Sequence, residues 1–295
     1  MPQVQLAPWP RARERVLEVP NQRVDLIEFL RLQDCGLGAL VGARSSTLGR
    51  VMQAPERLRY EAEFIAAADA CLAGLDAEDD FAARALLVEV LEVKRAQLGA
   101  VIWNATVGAD ALAKHHGLDV DGLDPSATAG VGSAETGALH ALADRARGVV
   151  APTDADWLDP WSTLDGSRFA GRLRRSLAQF TVHLEDVADR LEAQNTLCPA
   201  GRVSERARIL ENVFWRYYAE RVQPHLAAVD RAGVAWLTAM DALRAAQRSA
   251  PPAALAVDPV ATEFERMRRA RDRHTRIWQD VLGACGMGPQ APSRP

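Results

Sequence analysis

The sequence predicts an all-α protein, a bundle of roughly eight to ten helices with short connections, stapled by disulfides. Three observations lead there. Apolar residues recur three and four apart through much of the chain, which is the spacing of one helix face. Nothing alternates apolar with polar residues at period two, and no turn dipeptide separates two β-branched runs, so strands and hairpins have no signal. Four cysteines, Cys35, Cys71, Cys198 and Cys285, stand in loops or near the ends of the segments so defined. With 295 residues, 48% of them hydrophobic and 25% charged, the chain can bury a sizeable core.

Residues 1–20 carry four prolines and read as an extended lead-in. Residues 21–150 form an N-terminal helical half. Asn21 caps its first helix, whose apolar side is Leu26, Phe29, Leu30 and Leu37, and Gly36 suits the position just past its end. The segment ARSSTLGRVM then breaks the pattern with Ser45, Ser46 and Gly49. Pro55 fits the first turn of a second helix whose Leu58, Phe64, Ile65 and Leu72 face a core. From Asp80 to Trp103 the chain is apolar around much of its circumference, as expected of a helix in the middle of a bundle. A short helix at GADALAKHH, a loop rich in Gly, Asp and Pro, and a helix over 133–148 complete this half.

Residues 151–166, with two prolines and two tryptophans, read as a linker. The C-terminal half, 167–285, joins the first in one integrated domain. Phe169, Leu173, Leu177, Phe180, Leu184, Val187 and Leu191 mark the clearest amphipathic helix, with Ser176, Gln179, His183, Asp186 and Arg190 on its wet face. A long pair of helices follows, in which Pro224 kinks or restarts the path. The last helix runs from Asp258 to Ala284, and 286–295 is a flexible tail.

Composition narrows the function. The net charge is −4 with no basic stretch, so nucleic acid is not an expected partner. No apolar run approaches the roughly 18–20 residues of a membrane span. The first twenty residues hold neither the apolar core of a signal peptide nor a lipobox-like cysteine. Taken as a native start, that places the protein in the cytoplasm. The cysteines point elsewhere. Four reduced, buried thiols are one reading. Bridges Cys35–Cys71 and Cys198–Cys285 are the other, favoured by the position of each cysteine beside a helix end or in a loop. Such bridges persist in oxidising compartments, so the periplasm is the expected location.

Chemical motifs are scarce. No Asp or Glu stands three residues before any of the six histidines, HExxH is absent, and no cysteine pair has metal-ligand spacing. His115–His116, beside Gly117, reads as a solvated surface pair. Asp154, Asp156 and Asp159 lack the glycine and terminal Glu of a calcium loop. GLGALVG has the wrong spacing for a dinucleotide loop, and neither a P-loop nor a GxSxG elbow is present. No cofactor and no metal are expected.

Two constellations stand out. Arg44, Ser45, Ser46 and Arg50 put two guanidiniums and two hydroxyls in one helix break, suited to a carboxylate, phosphate or sugar. They are equally suited to capping turns and helix ends. On the last helix, Arg271 and His274 interrupt the apolar series Val260, Phe264, Met267, Trp278 and Val281. An inward Arg or His either marks a site or is satisfied by a nearby carboxylate or helix end.

Taken together, RVDLIEFLRLQDCGL, RSSTLGRVM and RLRYEAEFIAAADAC resemble the domain-of-unknown-function family 3080. The similarity continues through WNAT, the CPAGR…ILENVFWRYYAERVQPHL block and IWQDVLGACG. The resemblance implies an uncharacterised bacterial envelope protein, lipoprotein-like and anchored by lipid if an upstream signal precedes this sequence. It implies no catalytic residue. The expected function is a non-enzymatic helical domain that binds an envelope protein partner or scaffolds an assembly. The alternative is a small-molecule or glycan-binding protein, or a hydrolase, using the Arg44–Arg50 loop.

Overall fold

The computed structural model describes residues 4–20, 36–75, 81–126, 130–148, 152–193, 197–198 and 202–287. Among them are ten α-helices of six residues or more and no strand, so the protein is all-α. In chain order they are α1 (Leu37–Ser45), α2 (Ala54–Gly74), α3 (Phe81–Ala105), α4 (Asp110–His115) and α5 (Ser133–Arg147). Then come α6 (Asp159–Asp165), α7 (Phe169–Glu192), α8 (Glu205–Val213), α9 (Gln223–Ala245) and α10 (Pro259–Gly283). The helix expected from Asn21, with Cys35, and the tail beyond 287 lie outside the described residues.

Helix ends follow the side chains that can hold them. Asp258 caps α10 by accepting the Val260 N–H at 2.7 Å, and Ser204 caps α8 through the Ala207 N–H at 3.1 Å. Proline occupies the first turn of α2, α6 and α10, where its missing N–H costs nothing. Helices α7 and α10 pair along most of their length, α2 packs on α3, and α5 packs on α9.

The largest core draws on the lead-in and on helices of both halves, from Trp9 through Trp103, Leu139, Trp161 and Leu173 to Trp236 and Met267. A second core lies between α1, α2 and the first half of α3: Leu37, Tyr60, Phe64, Ala68, Leu87, Val90 and Leu91. Within this region Glu61 is buried, bonded by Arg57 and by Lys94 at 2.6 Å. Lys94 also lies 4.4 Å from the Phe64 ring centre.

Several expectations are corrected. Helix α3 is central only in its second half, where Val101, Ile102 and Trp103 are buried; Phe81 and Val88 are exposed. Among the described residues its first half packs against α1 and α2 through Leu87, Val90 and Leu91. Ser176, assigned to the wet face of α7, is buried and accepts the Leu123 N–H at 2.8 Å. The loop before α5 covers that part of α7, and this widens its buried arc. The segment read as a linker forms α6 and buries Trp157 and Trp161. Arg145 fastens it to α5, donating to the carbonyls of Trp157 at 2.9 Å and Asp156 at 2.8 Å.

The lead-in is extended apart from one helical turn, Ala12–Arg15, and is tied down. Trp103 donates to the Arg15 carbonyl at 2.7 Å, Arg15 Nε donates to the Gly108 carbonyl at 3.0 Å, and Asn104 exchanges two bonds with the Leu17 backbone. The Cys198–Cys285 disulfide is present, with its Cα atoms 5.3 Å apart. It pins the segment before α8 to the end of α10. Cys71 is also disulfide-bonded; the expected pairing with Cys35 involves a residue outside the described ones.

Candidate functional site

The nominated residues fall in two places. Arg44, Ser45, Ser46 and Arg50 lie together where α1 gives way to a single helical turn, Thr47–Arg50. Ser46 accepts the Gly49 N–H at 3.0 Å and donates to the Ala43 carbonyl at 2.7 Å. Arg44 donates to the Gly49 carbonyl, and Arg50 Nε to the Ser45 carbonyl at 3.4 Å. These bonds turn much of the segment's polar chemistry back onto its own backbone.

Arg271 and His274 share α10 but not an environment. Arg271 is half-buried and bonds Asp230 at 2.9 Å and Asp272 at 2.9 and 3.0 Å. His274 is only 2% exposed. Its Nε2 accepts the Trp278 indole N–H at 3.0 Å, its ring centre is 4.8 Å from that of Tyr218, and Nδ1 meets no partner among the described residues. Burial lowers its pKa to about 4. The neutral ring therefore carries its proton on Nδ1.

Beside His274 the chain does something no periodicity announces. Between α8 and α9 the helix continues as a π-helix, Phe214–Val222, and the Gln223 N–H bonds back to the Tyr218 carbonyl. Pro224 follows at once. A proline inside an α-helix loses one bond and crowds the carbonyl four residues earlier; the wider π turn relieves that crowding without breaking the path. Pro224 thus changes the helical register instead of ending the helix. Stretches of π-helix recur at functional sites.

Phe214, Tyr218 and Gln223 face Thr275, Trp278, Gln279 and Leu282 of α10 across a pocket of about 130 Å³. Phe214 lies 4.9 Å from Trp278 and 5.5 Å from Tyr218, centre to centre. Leu210 and Phe214 close the apolar floor against Ala188, Leu191, Ile277 and Trp278. One residue round the helix, Ile209, Val213 and Tyr217 form a parallel stripe that is 56%, 42% and 50% exposed. Arg221 lies over the Tyr217 ring at 5.6 Å. Residues 202–222 and 259–283 hold eleven arginines against seven acidic residues, in a protein of net charge −4; of the eleven, Arg273 is bonded to Asp189 and Glu192 of α7 and Arg271 to Asp230 of α9.

A larger open groove of about 730 Å³ lies between the start of α2, α4 and α6. Its charges are matched internally, Asp165 by Lys114 at 2.6 Å, Glu56 by Arg59 at 2.5 Å and Asp110 by Arg15. Among the described residues no three His, Cys, Asp or Glu side chains are grouped to hold a metal ion.

The histidine pair is the clearest miss. His115 and His116 are 0% exposed, not solvated. Trp9 stacks on His116 at 3.9 Å and Trp236 on His115 at 5.3 Å. Burial lowers the pKa of both rings, His116 the further. The available signal was positional: His115 stands four residues after Ala111 and three after Leu112, on the apolar face of α4. No curated protein and no solved structure matches the chain. A family model covers residues 1–289, and the chain belongs to the DUF3080 family of proteins of unknown function.

Proposed function

We propose that this protein is a non-catalytic binding domain working outside the cytoplasm, in the bacterial envelope. Its occupant is an acidic protein partner that inserts one apolar side chain into the pocket between the π-helix and α10. One observation carries the reading. A pocket of single-side-chain size, with aromatic walls, opens beside an exposed apolar stripe in the most arginine-rich part of an acidic protein. Isolated exposed apolar residues are ordinary, but a contiguous stripe beside a pocket is the form of an interaction site. The surplus arginine charge favours an acidic partner and speeds encounter. The Cys198–Cys285 bridge at the end of α10 supports an oxidising location, and among the described residues no helix is long and apolar enough to cross a membrane.

The test is photocrosslinking in cells from position 217, with position 257 as an exposed control. A partner captured at 217 but not at 257, and lost on Arg221→Glu, supports the reading. No adduct at 217, equal capture at both positions, or indifference to charge reversal overturns it.

A further inference from the structure

A second group of side chains has no place in that pocket and is harder to explain as packing. The lead-in, α4, α7, α9 and the start of α10 converge on Trp9, His115, His116, Arg174, Trp236, Arg244 and Asp258. All but Arg244 are more than nine-tenths buried. Each arginine is anchored at one end: Arg174 Nη2 donates to the Ala7 carbonyl at 2.7 Å and Arg244 Nη1 to the Leu255 carbonyl at 3.1 Å. The other ends are idle. Arg174 Nε and Nη1, Arg244 Nε and Nη2, and the indole nitrogen of Trp9 are buried with no hydrogen-bond partner among the described residues. His115 Nε2 and both nitrogens of His116 are idle as well, whereas the Trp236 indole N–H is directed at the Asp258 carboxylate. The groups face one another closely enough that both arginine charges act on His116 and on Asp258.

Buried polar atoms without partners are rare, and each costs free energy. The kinds of atom left over identify what is missing. Five idle nitrogens are obligate donors. His115 directs Nδ1 at the carbonyls of Leu164 and Ser167, 3.2 Å from each, so its Nε2 is an acceptor. Against five donors stand that nitrogen and one nitrogen of His116. The other His116 nitrogen adds a sixth donor. Water brings as many donors as acceptors, so a closed water cluster leaves the imbalance in place. A group rich in acceptors and poor in protons removes it.

We propose that this cluster binds one small oxyanion, a carboxylate or phosphate-like group, held by Arg174, Arg244 and the indole N–H of Trp9. Guanidiniums and N–H donors recognise that chemistry directly. Burial also raises the pKa of Asp258, so a proton taken there offsets added negative charge. The lead-in supplies the cover: Trp9 stacks on His116, and Ala7 is held by Arg174. Lifting residues 7–9 opens the route in.

The experiment uses the full oxidised chain and three probes, inorganic phosphate, sulfate and acetate, with chloride as control at matched ionic strength. Calorimetry and tryptophan fluorescence are read in parallel. Saturable one-site binding of at least one probe is expected, weakened about tenfold or more in Arg244→Gln. Trp9→Phe keeps an aromatic ring against His116 and removes the N–H together with the second ring of the indole. It should fold normally and weaken binding several-fold, so it decides the matter if Arg244→Gln does not fold. Absence of saturable binding for all three oxyanions, or unchanged binding in Trp9→Phe, overturns the proposal. Neither outcome bears on the aromatic pocket, which shares no residue with this cluster.

Discussion

Trp278 donates its indole N–H to Nε2 of His274 across 3.0 Å, one turn along α10. The bond fixes the imidazole as a neutral acceptor and holds the Trp278 ring as a wall of the aromatic pocket. The shape of the pocket is therefore coupled to the protonation state of one buried histidine.

That coupling has a pH dependence of definite sign. Folded His274 stays neutral down to about pH 4, whereas the unfolded chain protonates near 6.5. Between those values the unfolded state binds more protons, so stability present above pH 6.5 falls as the pH drops towards 4. His115 and His116 act in the same direction. NMR of the His274 ring should show no titration from pH 8 to 5. A midpoint near 6.5 contradicts its burial.

Reducing Cys198–Cys285 frees a loop of 87 residues. Urea unfolding of Cys285→Ser should show a loss of about 4–5 kcal/mol in the chain-entropy model. The second disulfide, at Cys71, is untouched by that variant, which keeps the comparison to one bridge.

Glu61 is the shared carboxylate of Arg57 and Lys94 in the second core. Glu61→Gln leaves two cations without their counter-charge and should destabilise by about 3–5 kcal/mol. Pairing it with Lys94→Met should recover part of that loss. A cycle of chemical denaturation curves measures the coupling.

Gly171 lets α7 lie against the turn after His116: a Cβ there would sit 1.8 Å from the Gly117 carbonyl. Backbone cannot rotate away as a side chain can. Gly171→Ala should therefore cost about 1–3 kcal/mol or more and release Trp9 from His116, seen as a change in tryptophan emission.

The fold class was legible because long helices advertise themselves by spacing. The series from Phe169 to Leu191 sits on α7, and Asp258 caps α10 where the sequence reading begins that helix. The sites were less legible, each for a physical reason. His115 and His116 are polar residues in a short helix, and composition says surface; only their register with Ala111 and Leu112 says core. The π-helix has no sequence period of its own, and its one cue, Pro224, ordinarily reads as a break. Arg174 lies next to Leu173 on an amphipathic helix, and its burial depends on a lead-in 167 residues earlier that no local pattern ties to it. His274 was visible because it interrupts an apolar series. What the interruption served was visible only once Tyr218 and Trp278 were placed beside it.

The most direct measurement is the affinity of the partner captured at position 217 for the intact chain and for Tyr218→Ala and Arg221→Glu. Docking through the aromatic pocket predicts that each substitution weakens binding at least about tenfold, with more of the Arg221→Glu loss in the association rate. Affinities unchanged in both variants would contradict it.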